Sequence, residues 1–198
     1  EGWVSNQQFT HIDEDLFKEL ESLESTKVSS ELISFIETES NVLLPIVLGS
    51  CIPQNCPLNH KFDGSFTIGK QDKDQLVNKA LLYLNAPYLW GGKTTFGIDG
   101  PGFTQMTYKT NGYRLLRGAQ QQSTQGEALS FIEESEPGDL AFFDNNDGTI
   151  DHVGIIMENN YVIHSFGKVR IDRIDHTGIF NTETNTYTHK LRVIKKII

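Results

Sequence analysis

The chain has 198 residues, 37% of them hydrophobic and 22% charged, which is enough to bury one substantial core and a small second one. Its 26 acidic residues outnumber 17 basic ones, for a formal charge of −9, and no basic stripe offsets this. Phosphate binding draws on Lys and Arg, so nucleic acid is excluded as the expected partner. The longest apolar run, residues 42–49, contains Pro45 and falls far short of the roughly 20 residues a membrane span needs, so none is expected.

The chain opens on Glu1-Gly2-Trp3-Val4, with neither a charged n-region nor an apolar h-region, so an export signal is read as removed or never present. Residues 13–23 place Leu16, Phe17, Leu20 and Leu23 on one face and predict an amphipathic helix. Ser29 or Ser30 is expected to cap a further short helix carrying Leu32, Ile33 and Ile36. Residues 42–48, 61–62 and 65–68 read as short strands of a small β-rich unit. Cys51 and Cys56, in CIPQNC, have two readings: a small disulfide of an exported protein, or two semi-buried small side chains. Residues 69–72 read as a linker, dividing the chain into 1–70 and 71–198.

Beyond the linker, Leu76, Val77, Ala80, Leu81 and Leu84 recur at helical spacing, and Phe103, Met106 and Thr107 begin a second helix that Asn111-Gly112 ends. Between them, YLWGGKTTFGIDGPGF (88–103) reads as an active-site loop whose Gly91, Gly92 and Gly97 allow close approach of another chain. A third short helix is expected near 119–125, then strands at 139–143, 152–157, 161–165, 169–171 and 190–194. Helices first and strands later indicate an α+β domain. Gly92-Lys93-Thr94 is no P-loop, because the glycine required five positions earlier is Pro87. No cofactor and no metal are expected: Asp151 and His152 point to opposite faces of a strand, and no third ligand has metal spacing.

The 88–103 loop, GDLAFF (138–143), DHVGI (151–155) and IHSFGKVRID (163–172) resemble the NlpC/P60 family of bacterial cell-wall cysteine peptidases, over about the last two-thirds of the chain. The resemblance implies a papain-like NlpC-type domain over 71–198, with helices packed on an antiparallel sheet. It implies a bacterial SH3-like region over 1–70, in which Gly2-Trp3-Val4 resembles a closing strand and the first part of the barrel is absent. It further implies a bacterial exported or cell-envelope setting and peptidoglycan stem peptides (muropeptides) as ligands.

One departure bears on chemistry. The family pattern reads D-C-S-G-F, with cysteine as nucleophile, whereas this chain reads Asp99-Gly100-Pro101-Gly102-Phe103. A helix start stabilises a thiolate through its unpaired amides, but Gly100 has nothing to ionise, and Pro101 suits the first turn without disturbing the fold. His152 and His164, on strands joined by Glu158-Asn159-Asn160, are brought side by side by an antiparallel hairpin. The resemblance makes His152 the general base and His164 its orienting partner. Tyr88 matches a tyrosine near the oxyanion. Trp90 is placed in the same cleft, with plain core as its other reading. Asp99 matches an acid that pairs with a ligand's ammonium group, with a helix N-cap as its other reading. Arg117, in LLRGAQQQ, matches L-P-R-D-A-x-Q with Leu116 and Gly118 replacing proline and aspartate. Three readings stay open: a silent member binding stem peptides or a protein partner, a γ-D-glutamyl-diamino-acid endopeptidase whose cysteine is altered in this version, and a structural module with a closed groove. As given, the missing thiol predicts no cysteine-peptidase activity.

Overall fold

A computed structural model of the chain describes residues 4–7, 9, 11–21, 26–53, 60–145 and 147–198. Helix α1 (Glu14–Glu21) starts where the Asp13 carboxylate accepts the Leu16 N–H at 2.8 Å. Of the residues expected on its apolar face, Phe17 is exposed and Leu23 lies outside the described residues. Trp3 and Cys56 also lie outside them, while Cys51 is exposed.

Short strands follow: β1 (Lys27–Ser29), β2 (Ile33–Thr38), β3 (Leu43–Val47), β4 (Cys51–Ile52), β5 (His60–Lys61) and β6 (Phe66–Thr67). They pair antiparallel in two small sheets, β4-β1-β6 and β3-β2-β5. The helix expected after Ser29 or Ser30 is therefore a strand, β2. Ile33 and Ile36 fit a helical spacing, but the β-branched content of Ile33, Ile36 and Thr38 favours an extended chain. The turn at Asn41, in the left-handed region with φ 58°, folds β3 back so that Ile33 faces Val47 and Ile36 faces Leu44. These sheets rest on the next part of the chain: Leu48 packs in one core with Met106, and Thr67 Oγ1 donates to the Thr110 carbonyl at 3.0 Å.

Next come α2 (Gln75–Leu81), the small hairpin β7 (Lys93–Thr94) and β8 (Gly97–Ile98), α3 (Gly100–Thr110), α4 (Ala119–Gln122) and β9 (Glu127–Leu129). Helix α2 stops short of the expected Leu84, because the chain turns at Asn85 (φ 68°), whose N–H is taken by the Val169 carbonyl. Six strands complete the chain: β10 (Leu140–Asp144), β11 (Ile150–Met157), β12 (Tyr161–Phe166), β13 (Lys168–Ile174), β14 (Gly178–Asn181) and β15 (Thr186–Lys196). Each pairs antiparallel with the next, and β15 pairs back onto β10, so the sheet closes on itself with β9 added at β15. Closure satisfies the edge amides of β10 and β15.

The pleat sorts side chains onto two faces. Phe142, Val153, Ile155 and Ile163 pack outward against Leu76, Phe103 and Met106 of the helices. Phe143, Ile156, Val162, Ile174 and Ile179 fill the interior of the ring. By the same two-residue period His152 follows Ile156, His164 follows Val162 and Asp172 follows Ile174, so all three belong to the interior face. The result is a sheet-rich core with few helices. Among the described residues, no helix is long and apolar enough to cross a membrane.

Candidate active site

The start of α3 is fixed by Asp99. Its Oδ1 accepts the Gly102 N–H at 2.7 Å and Arg117 Nη1 at 2.9 Å, while Oδ2 accepts the Gly91 N–H at 2.8 Å and Arg117 Nη2. The carboxylate is thus a helix cap, a clasp on the glycine loop and one half of a bidentate ion pair. Gly102 has to be glycine, because a Cβ there would lie 2.5 Å from the Gly92 carbonyl and 2.7 Å from Asp99 Oδ1. Gly100 is different. It is helical, and a Cβ built on it meets His152 Nδ1 at 3.4 Å, an ordinary contact. A side chain would fit at position 100, and it would face the imidazole.

Behind that imidazole lies a relay across three adjacent strands. His152 Nε2 is 2.9 Å from His164 Nδ1, and His164 Nε2 is 2.9 Å from Asp172 Oδ2. Arg170 holds the same carboxylate through Nε at 2.6 Å and Nη2 at 3.0 Å, and reaches Glu183 at 3.1 Å. The tautomers follow from the acceptor at the end. Asp172 can only accept, so His164 carries its proton on Nε2; its Nδ1 lone pair then accepts from His152 Nε2–H, leaving His152 Nδ1 as a free base aimed at residue 100. Burial, and then the neighbouring His164 and His189, hold His152 well below the usual histidine range. Burial also lowers His164, with Asp172 opposing it. Burial raises the Asp172 carboxyl, but the hydrogen bonds from His164 and Arg170 outweigh it, so its pKa lies below the usual carboxylate value. Both rings are neutral near pH 7, as a general base requires.

The base faces an open cleft of about 870 Å³ whose walls include Tyr88, Trp90, Phe166, Tyr187 and His189. Tyr88 is 41% exposed and Trp90 85% exposed, so Trp90 is a surface aromatic of the cleft and not core. Burial, then Asp99, raises the Tyr88 hydroxyl pKa. His189, on β15, stacks on His152 with ring centroids 4.0 Å apart. The expectation that no third ligand joins the two histidines is corrected here: one nitrogen from each of His152, His164 and His189 lies within 4.8 Å of the others.

Sequence reasoning named His152, His164, Gly100, Tyr88 and Trp90, which the structure gathers around one cleft, and named Asp99 and Arg117 without pairing them. It missed Asp172, Arg170 and His189. The first two had a readable signal: the turn at Gly167 (φ 70°) sets a hairpin register in which His164 faces Arg170 and Val162 faces Asp172. His189 had none, because it arrives only through ring closure.

The sequence pattern of the NlpC/P60 family matches residues 85–189, more than half of the chain and every site residue named above. The chain belongs to the NlpC/P60 family. This NlpC/P60 chain is 30% identical over 186 residues to a gamma-D-glutamyl-L-lysine dipeptidyl-peptidase of Bacillus cereus, a match covering 83% of the chain and 56% of that relative. It therefore spans about half of that relative's length, and 33% of a Bacillus subtilis protein of the same name. A crystal structure of an NlpC/P60 family protein from Bacillus cereus aligns over 99% of this chain and 70% of its own, with a TM-score of 0.76 at 23% identity. RipD from Mycobacterium tuberculosis aligns over 65% of this chain and 99% of its own, with a TM-score of 0.51 at 19% identity. RipD is described as a non-catalytic NlpC/P60 domain protein adapted to peptidoglycan binding. At these identities the two structures establish the fold. The NlpC/P60 family is one of peptidoglycan hydrolases.

Proposed function

We propose that this chain is a non-catalytic NlpC/P60 protein that holds peptidoglycan stem peptides in the cleft over His152 without cleaving them. The observation that carries this reading is Gly100, which stands at the start of α3 beside a complete histidine relay and offers no atom to attack a carbonyl. A positioned general base alone contributes roughly 10²–10⁴-fold, and the covalent route is gone. RipD, a member described as non-catalytic and peptidoglycan-binding, supports the same division of labour. Tyr88 and the exposed Trp90 supply flat apolar surface for a peptide. A ligand ammonium at Asp99 would share its carboxylate with Arg117, so Asp99 acts in binding chiefly by holding the loop. The two small sheets of residues 27–67 support reading 1–70 as an SH3-like unit ahead of 71–198.

The test is to incubate the chain with a stem tripeptide containing the γ-D-glutamyl-diamino-acid bond, following product by chromatography and binding by calorimetry. The expected result is no product, with binding weakened by Trp90→Ala. Turnover that His152→Ala abolishes would overturn the non-catalytic reading, and absence of binding at millimolar peptide would overturn the ligand.

A further inference from the structure

His152 on β11, His164 on β12 and His189 on β15 meet at the floor of the cleft, with one nitrogen of each within 4.8 Å of the others. We propose that these three side chains bind a divalent late transition-metal ion of the zinc type, with its fourth position open to the cleft. The proposal does not depend on a peptide ligand. Three imidazoles form a donor set that suits zinc, copper, nickel or cobalt and not calcium or magnesium.

The support behind the ligands is already built. His164 gives its Nε2–H to Asp172, itself clamped by Arg170, which leaves Nδ1 as the ligand atom and fixes the ring's direction. His189 Nδ1 is hydrogen-bonded to Thr188 Oγ1 at 2.9 Å, which assigns Nε2 to the metal. His152 Nε2 stands 2.9 Å from His164 Nδ1, whereas nitrogens around a tetrahedral zinc with bonds of about 2.0 Å lie roughly 3.3 Å apart. The two rings therefore part by a few tenths of an ångström while the partly exposed His189 swings inward. The proton balance is simple: His152 gives up its Nε2 proton and takes one at Nδ1, where the space over Gly100 is open, so the ring stays neutral. A carboxylate on the wall of the same cleft, outside the three-histidine cluster, adds to the polar character of the site. Asp144 Oδ1 is buried with no hydrogen-bond partner among the described residues, and Asp144 lines the same cleft. An orphaned carboxylate oxygen is costly unless a positive charge or donor arrives.

The full chain, stripped of metal with a chelator and free of peptide, is titrated with zinc chloride by calorimetry and with cobalt(II) chloride by visible absorption. The expected result is one equivalent bound, with the intense cobalt bands of a tetrahedral site. His189→Phe keeps an aromatic ring against His152 and should lower affinity about 100-fold or more, while Asp172→Asn should lower it about tenfold. His176→Ala, at an exposed histidine outside the cluster, should change nothing. Absence of stoichiometric binding, or binding and cobalt spectra that His189→Phe leaves unchanged, would overturn the proposal.

Discussion

Position 100 lies where the amide dipoles of α3 and the Nδ1 lone pair of His152 converge, so a thiol placed there is acidified from two sides. Asp172 and His164 still set the tautomer of His152, and the space at Gly100 accepts a Cβ at ordinary contact distance. Gly100→Cys with Pro101→Ser is therefore expected to create a thiol whose pKa falls at least about one unit below the ordinary value of roughly 8.5. Alkylation rate against pH measures it. Adding His152→Asn should move the value back up, since the helix terminus alone remains. An ordinary pKa in the first variant would mean that the relay no longer acts on residue 100.

At the scale of elements, the entry to α3 depends on one ion pair. Asp99 ties the β8–α3 junction to the segment carrying Arg117 and, through Gly91, to the loop that bears Trp90. The Asp99 side chain is 8% exposed and that of Arg117 38% exposed, so removing the aspartate strands a cation, the Gly91 loop amide and the Gly102 amide at the helix start, whereas removing the arginine leaves a capped helix. Asp99→Ala is expected to cost about 3 kcal/mol and Arg117→Ala about 1 kcal/mol, measured by urea denaturation. The double variant should cost little more than Asp99→Ala, because both changes remove the same contact. Equal single effects would contradict this account. Legibility of the sequence divides along the same lines. The α3 start was readable from Asp99, Pro101 and the stop at Asn111-Gly112, and the His152–His164 pair from a hairpin. Strand β2 was misread because Ile33 and Ile36, three apart, match a helical stripe but lie on opposite faces of a strand, and its exposure pattern alternates only weakly. His189 was invisible because no local spacing encodes the register that closes a ring.

For the whole molecule, that closure puts three neutral histidines inside a sheet, and this couples stability to pH. His152, His164 and His189 all have folded-state pKa values below the ordinary 6.5, His189 at about 4, with burial the first cause in each case. In the unfolded chain they titrate near 6.5. Above that pH both states hold them neutral, and they add no pH dependence. Below it the unfolded chain takes up protons that the folded ring refuses, so stability falls as pH drops from about 6.5 towards 4. Asp172, facing His164, works in a different window: its pKa is lowered by folding, so its contribution is present above the unfolded carboxylate value of about 3.9 and is lost only below the histidine range. Urea midpoints measured at pH 7, 6 and 5 with chelator present are therefore expected to fall steadily. His189→Phe, which removes one titrating ring while keeping its contact with His152, should flatten the decline. A midpoint unchanged between pH 7 and 5, or a slope that His189→Phe leaves as steep as before, would mean that the three rings do not meet inside the ring of strands as neutral groups.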